Sequence, residues 1–389
     1  MNTRSSINTR IRSVPIAEAS AEHPVLIEAA RIIQEGGLVA FPTETVYGLG
    51  ADLYDAAAVE RIFQAKGRPS DNPLIVHIAH RSQLDAFVEK VDPVAEKLMR
   101  LFWPGPLTLV LPARQGVLPK AVTAGLSTVA VRMPDHPVAL ALIEAADRPL
   151  PAPSANRSGR PSPTRAEHVL DDLEGQVELI IDGGETGIGL ESTVVEVGQD
   201  AVVVLRPGGI PAHALQEALK EDGIRIEYTE HSEKHSEALS AAIKDIEAPR
   251  SPGMKYKHYA PKGEMHVVTG TDPALISDRI RALIAEARQR GLKTGVLTYE
   301  EQASNYEAEA DIVIANGSWY DPRQFARQLY ASLRYFDEQN VSYIVAEAYL
   351  KPPVTGYSVT ETAEQTATDW LRTIFNRLQK AAEHRVIVV

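Results

Sequence analysis

Short apolar runs and longer amphipathic stretches alternate along the chain, and proline or glycine often separates them. A short apolar run predicts a buried strand, whereas apolar residues three or four positions apart predict a helix. In the first 230 residues the predicted strands are 37–41, 74–78, 107–111, 128–133, 178–182, 192–197, 201–205 and 224–228. The helix starts are predicted at Asp55, Ser82, Asp92-Pro93, Pro137, a capping box at Thr164-x-x-Glu167, and Ala212.

The last third of the chain repeats a strand followed by a helix, which predicts a parallel sheet covered by helices. Its predicted strands are 265–269, 294–298, 311–315 and 343–346, and its predicted helices are 273–290, 323–337 and 362–383. We therefore expect an α/β protein whose smaller C-terminal domain is built on a parallel sheet. The expected boundaries are a tail at 1–22, the first domain at 23–230, a basic linker at 231–262 and the second domain at 263–389.

The stretch from Lys66 to His77, KGRPSDNPLIVH, places two cations where a predicted helix ends and a predicted strand follows. Gly67 is typical of a residue that ends a helix, so Lys66 and Arg68 fall at the junction. An α/β domain usually binds its ligand at such a junction. The alternative is an ordinary solvated helix end, because Lys and Arg are favoured in a last turn.

Other polar side chains fall at strand ends and loops of the first domain. They are Thr43, Asn72, His77, Thr128, Arg132, Ser154, Asn156, Ser162, Ser192, Thr193 and Arg206. Cations, hydroxyls and amides without an acidic pair indicate an anion-rich ligand rather than glycoside or peptide hydrolysis. For Arg132, which lies inside an apolar strand, the alternative is an exposed strand face.

Composition excludes several classes of site. The 389 residues include no cysteine, which excludes disulfides, thiolate metal sites and a cysteine nucleophile and fits a reducing cytosol. The net charge is −12, and residues 1–230 carry 31 acidic against 21 basic side chains. Binding of nucleic acid by electrostatics alone would require the opposite balance. No apolar run approaches the length of a membrane span.

The segment from Ser251 to Pro261, SPGMKYKHYAP, interleaves cations with flat side chains such as Tyr256 and His258. This pattern suits phosphates and stacking on a purine, and it predicts a lid over a nucleotide. The alternative is a passive tether between the domains.

In combination, these stretches resemble the L-threonylcarbamoyladenylate synthases in their long two-domain form. The matching stretches, from about Phe41 to Pro261, are FPTETVYGLG, KGRPSDNPLIVH, STVAVRMP, PSANRSGRPSPT, ESTVV, LRPGG and SPGMKYKHYAP. The final helix, with Asn376-Arg377-Leu378 and Lys380-Ala381-Ala382, is similar to the C-terminal domain of that family. The segment at 350–370 is longer and less glycine-rich than the family pattern.

The resemblance implies an open, twisted, mixed α/β sheet in the N-terminal domain and a smaller, Rossmann-like parallel α/β C-terminal domain. It also implies a nucleotidyltransferase that makes threonylcarbamoyl-AMP and pyrophosphate from threonine, bicarbonate and ATP. This is the first step of threonylcarbamoyladenosine formation next to the anticodon of tRNAs. It implies Lys66 and Arg68 as catalytic residues, and a threonine site of Thr43, His77, Arg132, Ala152 and Ser192. It implies an ATP site of Lys66, Arg68, Asn72, Thr128, Ser154, Asn156, Ser162, Arg206, Tyr256 and His258.

The resemblance also implies Mg²⁺ with ATP, held largely by phosphates and water. It implies a cytoplasmic protein that does not bind a membrane, a weak contact with tRNA, and a downstream tRNA threonylcarbamoyl-transfer complex as partner. The alternative function is a double-stranded RNA or tRNA-binding module without synthase activity, which the acidic first domain disfavours. A related domain occurs in carbamoyl-transfer maturation factors with zinc fingers, an architecture that a cysteine-free chain excludes.

Overall fold

The computed structural model describes residues 7–228, 258–353 and 361–389. These divide into two compact units. The first unit holds the described residues of 1–158, 162–187 and 191–255, and the second holds those of 159–161, 188–190 and 256–389. Most of the predicted linker, including the segment 251–257, lies outside the described residues, so the linker boundaries remain a prediction.

Ten α-helices lie in the described ranges. They are α1 (Pro24–Gln34), α2 (Ala56–Lys66), α3 (Pro93–Phe102), α4 (Lys120–Thr123), α5 (Pro137–Ala146), α6 (Ala166–Leu173), α7 (Ala212–Ala218), α8 (Pro273–Gln289), α9 (Pro322–Glu338) and α10 (Glu361–Ala381).

The strands in the same ranges form three sheets. They are β1 (Arg10–Ser13), β2 (Val39–Phe41), β3 (Gly48–Gly50), β4 (Ile75–His77), β5 (Leu107–Pro112), β6 (Thr128–Arg132), β7 (Leu150–Pro151), β8 (Leu179–Asp182), β9 (Thr193–Val197), β10 (Ala201–Arg206), β11 (Arg225–Tyr228), β12 (Glu264–Thr269), β13 (Thr294–Thr298), β14 (Ile312–Ala315), β15 (Tyr343–Ala348) and β16 (Val386–Val388).

In the first unit, the described strands form a mixed seven-stranded sheet, β11-β10-β9-β5-β6-β4-β7, and a four-stranded sheet, β1-β8-β2-β3. In the larger sheet β4 runs parallel to β6 and β5 parallel to β9, whereas β5 runs antiparallel to β6. These strands are almost entirely buried, which explains why their apolar runs are continuous rather than alternating. The predicted mixed sheet is confirmed.

In the second unit, the described strands form a five-stranded sheet, β14-β13-β15-β12-β16, in which every pairing is parallel. The helices α8, α9 and α10 connect consecutive strands or strand pairs, as a parallel sheet requires. The predicted Rossmann-like domain is confirmed. Among the described helices, none combines the length and the apolar character needed to cross a bilayer.

Local chemistry fixes both ends of α2, the helix that delivers Lys66 to the site. The Asp55 carboxylate accepts hydrogen bonds from the backbone N–H groups of Ala57 (2.8 Å) and Ala58 (3.1 Å). Gly67 ends the helix with φ 61°, a left-handed conformation that glycine adopts without strain. The buried face of α2 includes Ile62 and Phe63, which join the main apolar core of the unit. Lys66 therefore sits in the last turn of an anchored helix.

Several predictions about elements are wrong. The predicted tail contains β1, whose residues Arg10–Ser13 pair in parallel with β8. The helix predicted at Ser82 is a short 3₁₀ helix, Arg81–Ala86. The Thr164-x-x-Glu167 capping box does not form, because α6 begins at Ala166 behind Arg165 and has no side-chain cap. The backbone N–H of Thr164 instead donates to Nδ1 of His168 (3.3 Å).

Candidate active site

The Lys66 ammonium is buried against a loop that follows β7. Lys66 is 2 % exposed, and its Nζ donates to the backbone oxygen of Asn156 (2.5 Å), to Oδ1 of the same residue (3.4 Å) and to the backbone oxygen of Ser154. The Ser154 hydroxyl donates to Asn156 Oδ1 (2.6 Å). The structure thus brings two predicted ATP residues, Ser154 and Asn156, around the Lys66 cation.

The loop that receives Lys66 is held by strand β3. The backbone N–H of Leu49 donates to Pro153 O (2.8 Å), and that of Ala155 donates to Tyr47 O (2.8 Å). Gly50 of β3 packs on Phe41 of β2, so closely that a Cβ there would lie 2.8 Å from Phe41 Cε1. The glycines of the YGLG stretch therefore allow close strand packing beside the site rather than binding a dinucleotide.

Arg68 and Asn72 lie in the turn between α2 and β4. The Arg68 Nη2 donates to the backbone oxygens of Asn72 (3.3 Å) and Pro73 (3.1 Å). Asn72 is 1 % exposed, and among the described residues its Oδ1 has no hydrogen-bond donor. The amide oxygen of Asn72 is therefore an acceptor that a ligand could satisfy.

His77 and Arg132 are neighbours because β4 and β6 are parallel and in register at these two residues. Both are 3 % exposed, so the alternative of an exposed strand face for Arg132 is wrong. Burial, with a smaller contribution from the nearby Arg132 charge, lowers the pKa of His77 to about 3. The Nδ1 atom of His77 lies 3.2 Å from the backbone oxygen of Ile75. His77 is therefore a neutral imidazole beside a guanidinium at ordinary pH.

The guanidinium of Arg132 is held by the loop after β2 and by the cis-proline turn before β5. Its Nη1 donates to Thr45 Oγ1 (2.9 Å), its Nε donates to Gly105 O (3.3 Å), and its Nη2 forms an ion pair with Glu44. Thr45 and Glu44 were not predicted as site residues. The motif FPTETVYGLG contains both, but their roles depend on contact with a strand far along the chain.

The Thr43 hydroxyl organises the same loop. It accepts hydrogen bonds from the backbone N–H groups of Thr45 (3.2 Å) and Val46 (3.3 Å) and donates to Val46 O (2.7 Å). The Thr43 and Thr45 hydroxyls are 2.8 Å apart. Thr43 is thus the residue that shapes the loop carrying Glu44 and Thr45.

Ser192 and Arg206 form a second buried cluster that contains a cation. The Arg206 Nη2 donates to Ser192 O (3.0 Å) and to Ser192 Oγ (3.1 Å), and its Nε donates to Ser192 O (3.2 Å). The Ser192 hydroxyl is 2.8 Å from Thr108 Oγ1 on β5. Gly208 packs against the backbone beside this cluster, and a Cβ on it would lie 2.3 Å from the backbone oxygen of Glu191. The LRPGG stretch therefore supplies a cation and a glycine that packs against backbone.

The remaining predicted site residues of the first unit lie on strand β6 and in the stretch between β7 and α6. Ser162 is 1 % exposed, and its hydroxyl donates to Glu191 Oε1 (2.8 Å), a residue that sequence analysis missed. Ala152 is buried, and its N–H donates to Ile75 O beside His77 (2.9 Å). Thr128 begins β6, four residues before Arg132, and pairs with Pro112. Within the described ranges, the Thr128 side chain forms no hydrogen bond with another predicted site residue.

Two predicted ATP residues fall on the linker. Tyr256 lies outside the described residues. His258 belongs to the second unit, where its ring centroid is 5.5 Å from that of Tyr259. The predicted lid at 251–261 remains a prediction.

The first unit therefore supplies buried cations, hydroxyls and amides, with the Glu44 and Glu191 carboxylates already paired to Arg132 and Ser162. This set suits the binding of an anionic substrate. Across the described part of the chain, no group of three or more His, Asp or Glu side chains is placed to hold a metal ion.

Comparison with known proteins gives consistent matches to both units. A family profile described as telomere recombination matches residues 31–208, and a profile described as the C-terminal domain of threonylcarbamoyl-AMP synthase matches residues 210–383. A threonylcarbamoyl-AMP synthase from Bacillus subtilis is 46 % identical over 370 residues, which cover 95 % of this chain and 96 % of that protein. This chain belongs to the threonylcarbamoyl-AMP synthase family.

The other matches agree with this assignment. The threonylcarbamoyl-AMP synthase from Pyrococcus abyssi is 44 % identical over 361 residues, covering 93 % of this chain and 95 % of that protein. A crystal structure of P. abyssi Sua5 in complex with L-threonine superposes with a TM-score of 0.80 at 41 % identity, covering 99 % of this chain and 100 % of the other. The predicted fold and the predicted synthesis of threonylcarbamoyl-AMP by a nucleotidyltransferase are confirmed, and the comparisons give no support to the RNA-binding alternative.

Proposed function

We propose that the first unit binds threonine and ATP at the residues described above and joins them through a carbamate. The observation that carries this proposal is the burial of three cations at helix and strand ends of one unit. Lys66, Arg132 and Arg206 are 2 %, 3 % and 5 % exposed, respectively. Buried charges are costly unless they are paired or hydrogen-bonded, so their concentration here favours an anionic substrate.

Lys66 and Arg206 suit the phosphates of ATP. Lys66 donates to carbonyl and amide oxygens of Ser154 and Asn156, and Arg206 donates to the hydroxyl and the carbonyl of Ser192. These hydrogen bonds fix the position of each cation. A cation fixed in this way can act on the α-phosphate and on the departing pyrophosphate. We assign Arg68, Asn72, Thr128, Ser154, Asn156 and Ser162 to the same nucleotide site, with Tyr256 and His258 of the linker.

Arg132, His77, Ala152, Ser192 and Thr43 form the proposed threonine site. A guanidinium carries five N–H groups, and three of those on Arg132 face Gly105, Thr45 and Glu44. One N–H remains on each terminal nitrogen, which is the two-pronged arrangement that a carboxylate accepts. Arg132 can therefore bind the threonine carboxylate without releasing its protein partners.

The reaction needs no nucleophile from the protein, because the attacking group belongs to the substrate. Bicarbonate carbamoylates the threonine amine, and a carbamate oxygen then attacks the α-phosphorus of ATP as pyrophosphate leaves. Holding the reactants in line and stabilising the developing charge supply most of the acceleration in such transfers. Magnesium enters with ATP as part of the substrate. The first unit offers mainly hydroxyls, amides and carbonyls, which fits an ion whose main ligands are phosphate oxygens and water.

We place the enzyme in the cytoplasm and its product upstream of a tRNA threonylcarbamoyl-transfer complex. The cysteine-free composition and the family assignment support this placement. A weak contact with tRNA through the basic linker remains a prediction.

The conservative variant Arg132→Lys tests the site assignment. Lysine keeps the charge but cannot present two parallel N–H groups, so the apparent KM for threonine should rise by about 10- to 100-fold, with that for ATP nearly unchanged. Pyrophosphate release is measured while each substrate is varied in turn. The matched control is Arg148→Lys, whose half-exposed side chain pairs with Asp52. Equal increases in both KM values would place Arg132 in a different subsite.

A further inference from the structure

Glu44 pairs with Arg132 through only half of its carboxylate. The two side chains are 12 % and 4 % exposed, respectively, and the ion pair joins Glu44 Oε2 to Arg132 Nη2. Both carboxylate oxygens of Glu44 are buried, and Oε1 has no hydrogen-bond donor among the described residues. A buried carboxylate oxygen without a donor is costly, so it calls for a partner that arrives from outside the chain.

The Glu44 side chain does not hold its own loop together. The Thr43 hydroxyl makes the hydrogen bonds that close the turn from Thr43 to Val46. Thr45 supplies the neutral acceptor for Arg132 from the same loop. The shape of the loop is therefore set without the carboxylate, which makes Glu44 available for a different task.

The charges beside Glu44 define what the missing partner must be. Among the described residues, the ionisable groups placed near it are Arg132, which it pairs, and His136. Burial lowers the pKa of His136 despite the opposing attraction of Glu44, so this imidazole is neutral at ordinary pH. The Arg132–Glu44 pair is neutral as a unit. A ligand that pairs with both side chains and keeps the site neutral carries one negative and one positive group, as an α-amino acid does.

We propose that Glu44 binds the α-ammonium group of threonine and accepts a proton from it before carbamoylation. This assignment rests on the proposed function, in which Arg132 binds the threonine carboxylate. Arg132 then binds the carboxylate of threonine and Glu44 binds its ammonium group, and both groups are attached to the same carbon atom. The ion pair between Arg132 and Glu44 keeps the two side chains close enough to bind both groups together.

Every proton and every bond in this step is accounted for. Glu44 Oε1 takes one proton from the ammonium group, which leaves a neutral amine with a lone pair. The amine nitrogen forms a bond to the carbon of bicarbonate, the bond from that carbon to its hydroxyl oxygen breaks, and the hydroxide takes a second proton from the nitrogen and leaves as water. The products are the carbamate, water and protonated Glu44, which returns its proton to solvent. Nothing is oxidised or reduced.

The test compares two ligands that differ only in the amino group. L-Threonine and 3-hydroxybutyrate share the carboxylate, the hydroxyl and the methyl group, and binding of each is measured by titration calorimetry. The proteins are wild type, Glu44→Gln and Glu44→Asp. Glu44→Gln should weaken threonine binding by about 10- to 100-fold and leave 3-hydroxybutyrate binding unchanged or tighter. Glu44→Asp, which keeps the charge, should recover part of the threonine affinity.

A rate measurement covers the proton transfer. In Glu44→Gln the rate of pyrophosphate release should rise more steeply with pH than in wild type, because the amine must then lose its proton to solvent. Equal weakening of both ligands would mean that Glu44 only positions Arg132, and this outcome overturns the proposal. Unchanged threonine affinity, or parallel pH profiles, also overturns it. If wild type does not bind threonine, or Arg132→Lys binds it as well as wild type, the proposed function itself fails.

Discussion

Replacing Lys66 separates the role of its charge from the role of its bulk. The sequence alone suggests an exposed lysine whose removal costs little stability, but the side chain is 2 % exposed and donates to Ser154 and Asn156. Lys66→Met keeps most of the length of the side chain and removes the charge. Lys66→Ala also removes three buried methylenes, which are worth about 0.8 kcal/mol each.

The magnitudes follow from these contacts. In Lys66→Met, two carbonyls lose a donor at about 1–3 kcal/mol each. The variant also no longer buries an ammonium, a relief of several kcal/mol. These contributions oppose each other, so the free energy of unfolding should change by no more than about 2 kcal/mol in Lys66→Met. Lys66→Ala should be less stable than Lys66→Met by about 2 kcal/mol. Both variants should lose at least about 100-fold in rate if the charge acts on the phosphates.

Urea unfolding followed by circular dichroism gives the stabilities, and pyrophosphate release at saturating threonine and bicarbonate gives the rates. The matched control is Lys97→Met, whose side chain is 25 % exposed and pairs with Asp222, and which should change neither quantity appreciably. A Lys66→Met enzyme that turns over within threefold of wild type would refute the catalytic assignment. If Lys66→Met folds but is less stable than Lys66→Ala, the three buried methylenes do not stabilise the folded state as expected.

Three further predictions concern pH and packing. Burial holds the pKa of His77 at about 3 against an ordinary 6.5, so protonation favours the unfolded chain as pH falls below 6.5. Wild type should therefore lose about 2 kcal/mol of stability from this residue between pH 7.5 and pH 5, and urea unfolding of His77→Gln should show a correspondingly smaller loss. Gly208→Ala should destabilise the first unit and lower activity, because its Cβ would lie 2.3 Å from Glu191 O and 2.4 Å from Ser192 C. A Gly208→Ala protein with the melting temperature and the rate of wild type would contradict this. Burial raises the pKa of Glu347 from 4.5 to about 7, so its ionisation destabilises the folded chain as pH rises from 4.5 through 7. Glu347→Gln should therefore gain about 2 kcal/mol at pH 8 relative to pH 5, as measured by chemical unfolding, and equal effects at both pH values would contradict this cause.

Much of the fold could be predicted because its signals are local. The Asp55 cap and the Gly67 stop bound α2 as expected, and α5 occupies Pro137–Ala146 as its proline start predicts. The inner strands of the large sheet, such as β5 and β10, are largely continuous apolar runs, so they are recognisable without knowledge of their partners. By contrast, β1 carries two arginines and is exposed on most of its length, and only its pairing with β8 makes it a strand.

The site was harder to predict because its contacts join distant parts of the chain. The residue types of Lys66, Arg132 and Arg206 point to an anionic ligand, but their burial and their partners appear only in the fold. In the sequence, Glu44 is an ordinary charged residue in a loop. Its role becomes visible only in the fold, where it forms an ion pair with Arg132 on β6. The error at Thr164 has a local cause instead, since His168, in the next turn of the chain, accepts the backbone donor that the predicted cap would have used.

The order of strands in the large sheet has a consequence for synthesis on the ribosome. Strand β5 occupies the middle of that sheet, between β6 and β9, and Leu107 pairs in parallel with Thr193. One edge of β5 therefore has no partner until β9 has been translated and has left the exit tunnel. At translation rates of about 5–20 residues per second, a hydrophobic strand edge stays open for several seconds. Slow decoding between β5 and β9 should therefore increase aggregation of the nascent chain, whereas the same delay after β11 should have little effect on the first unit.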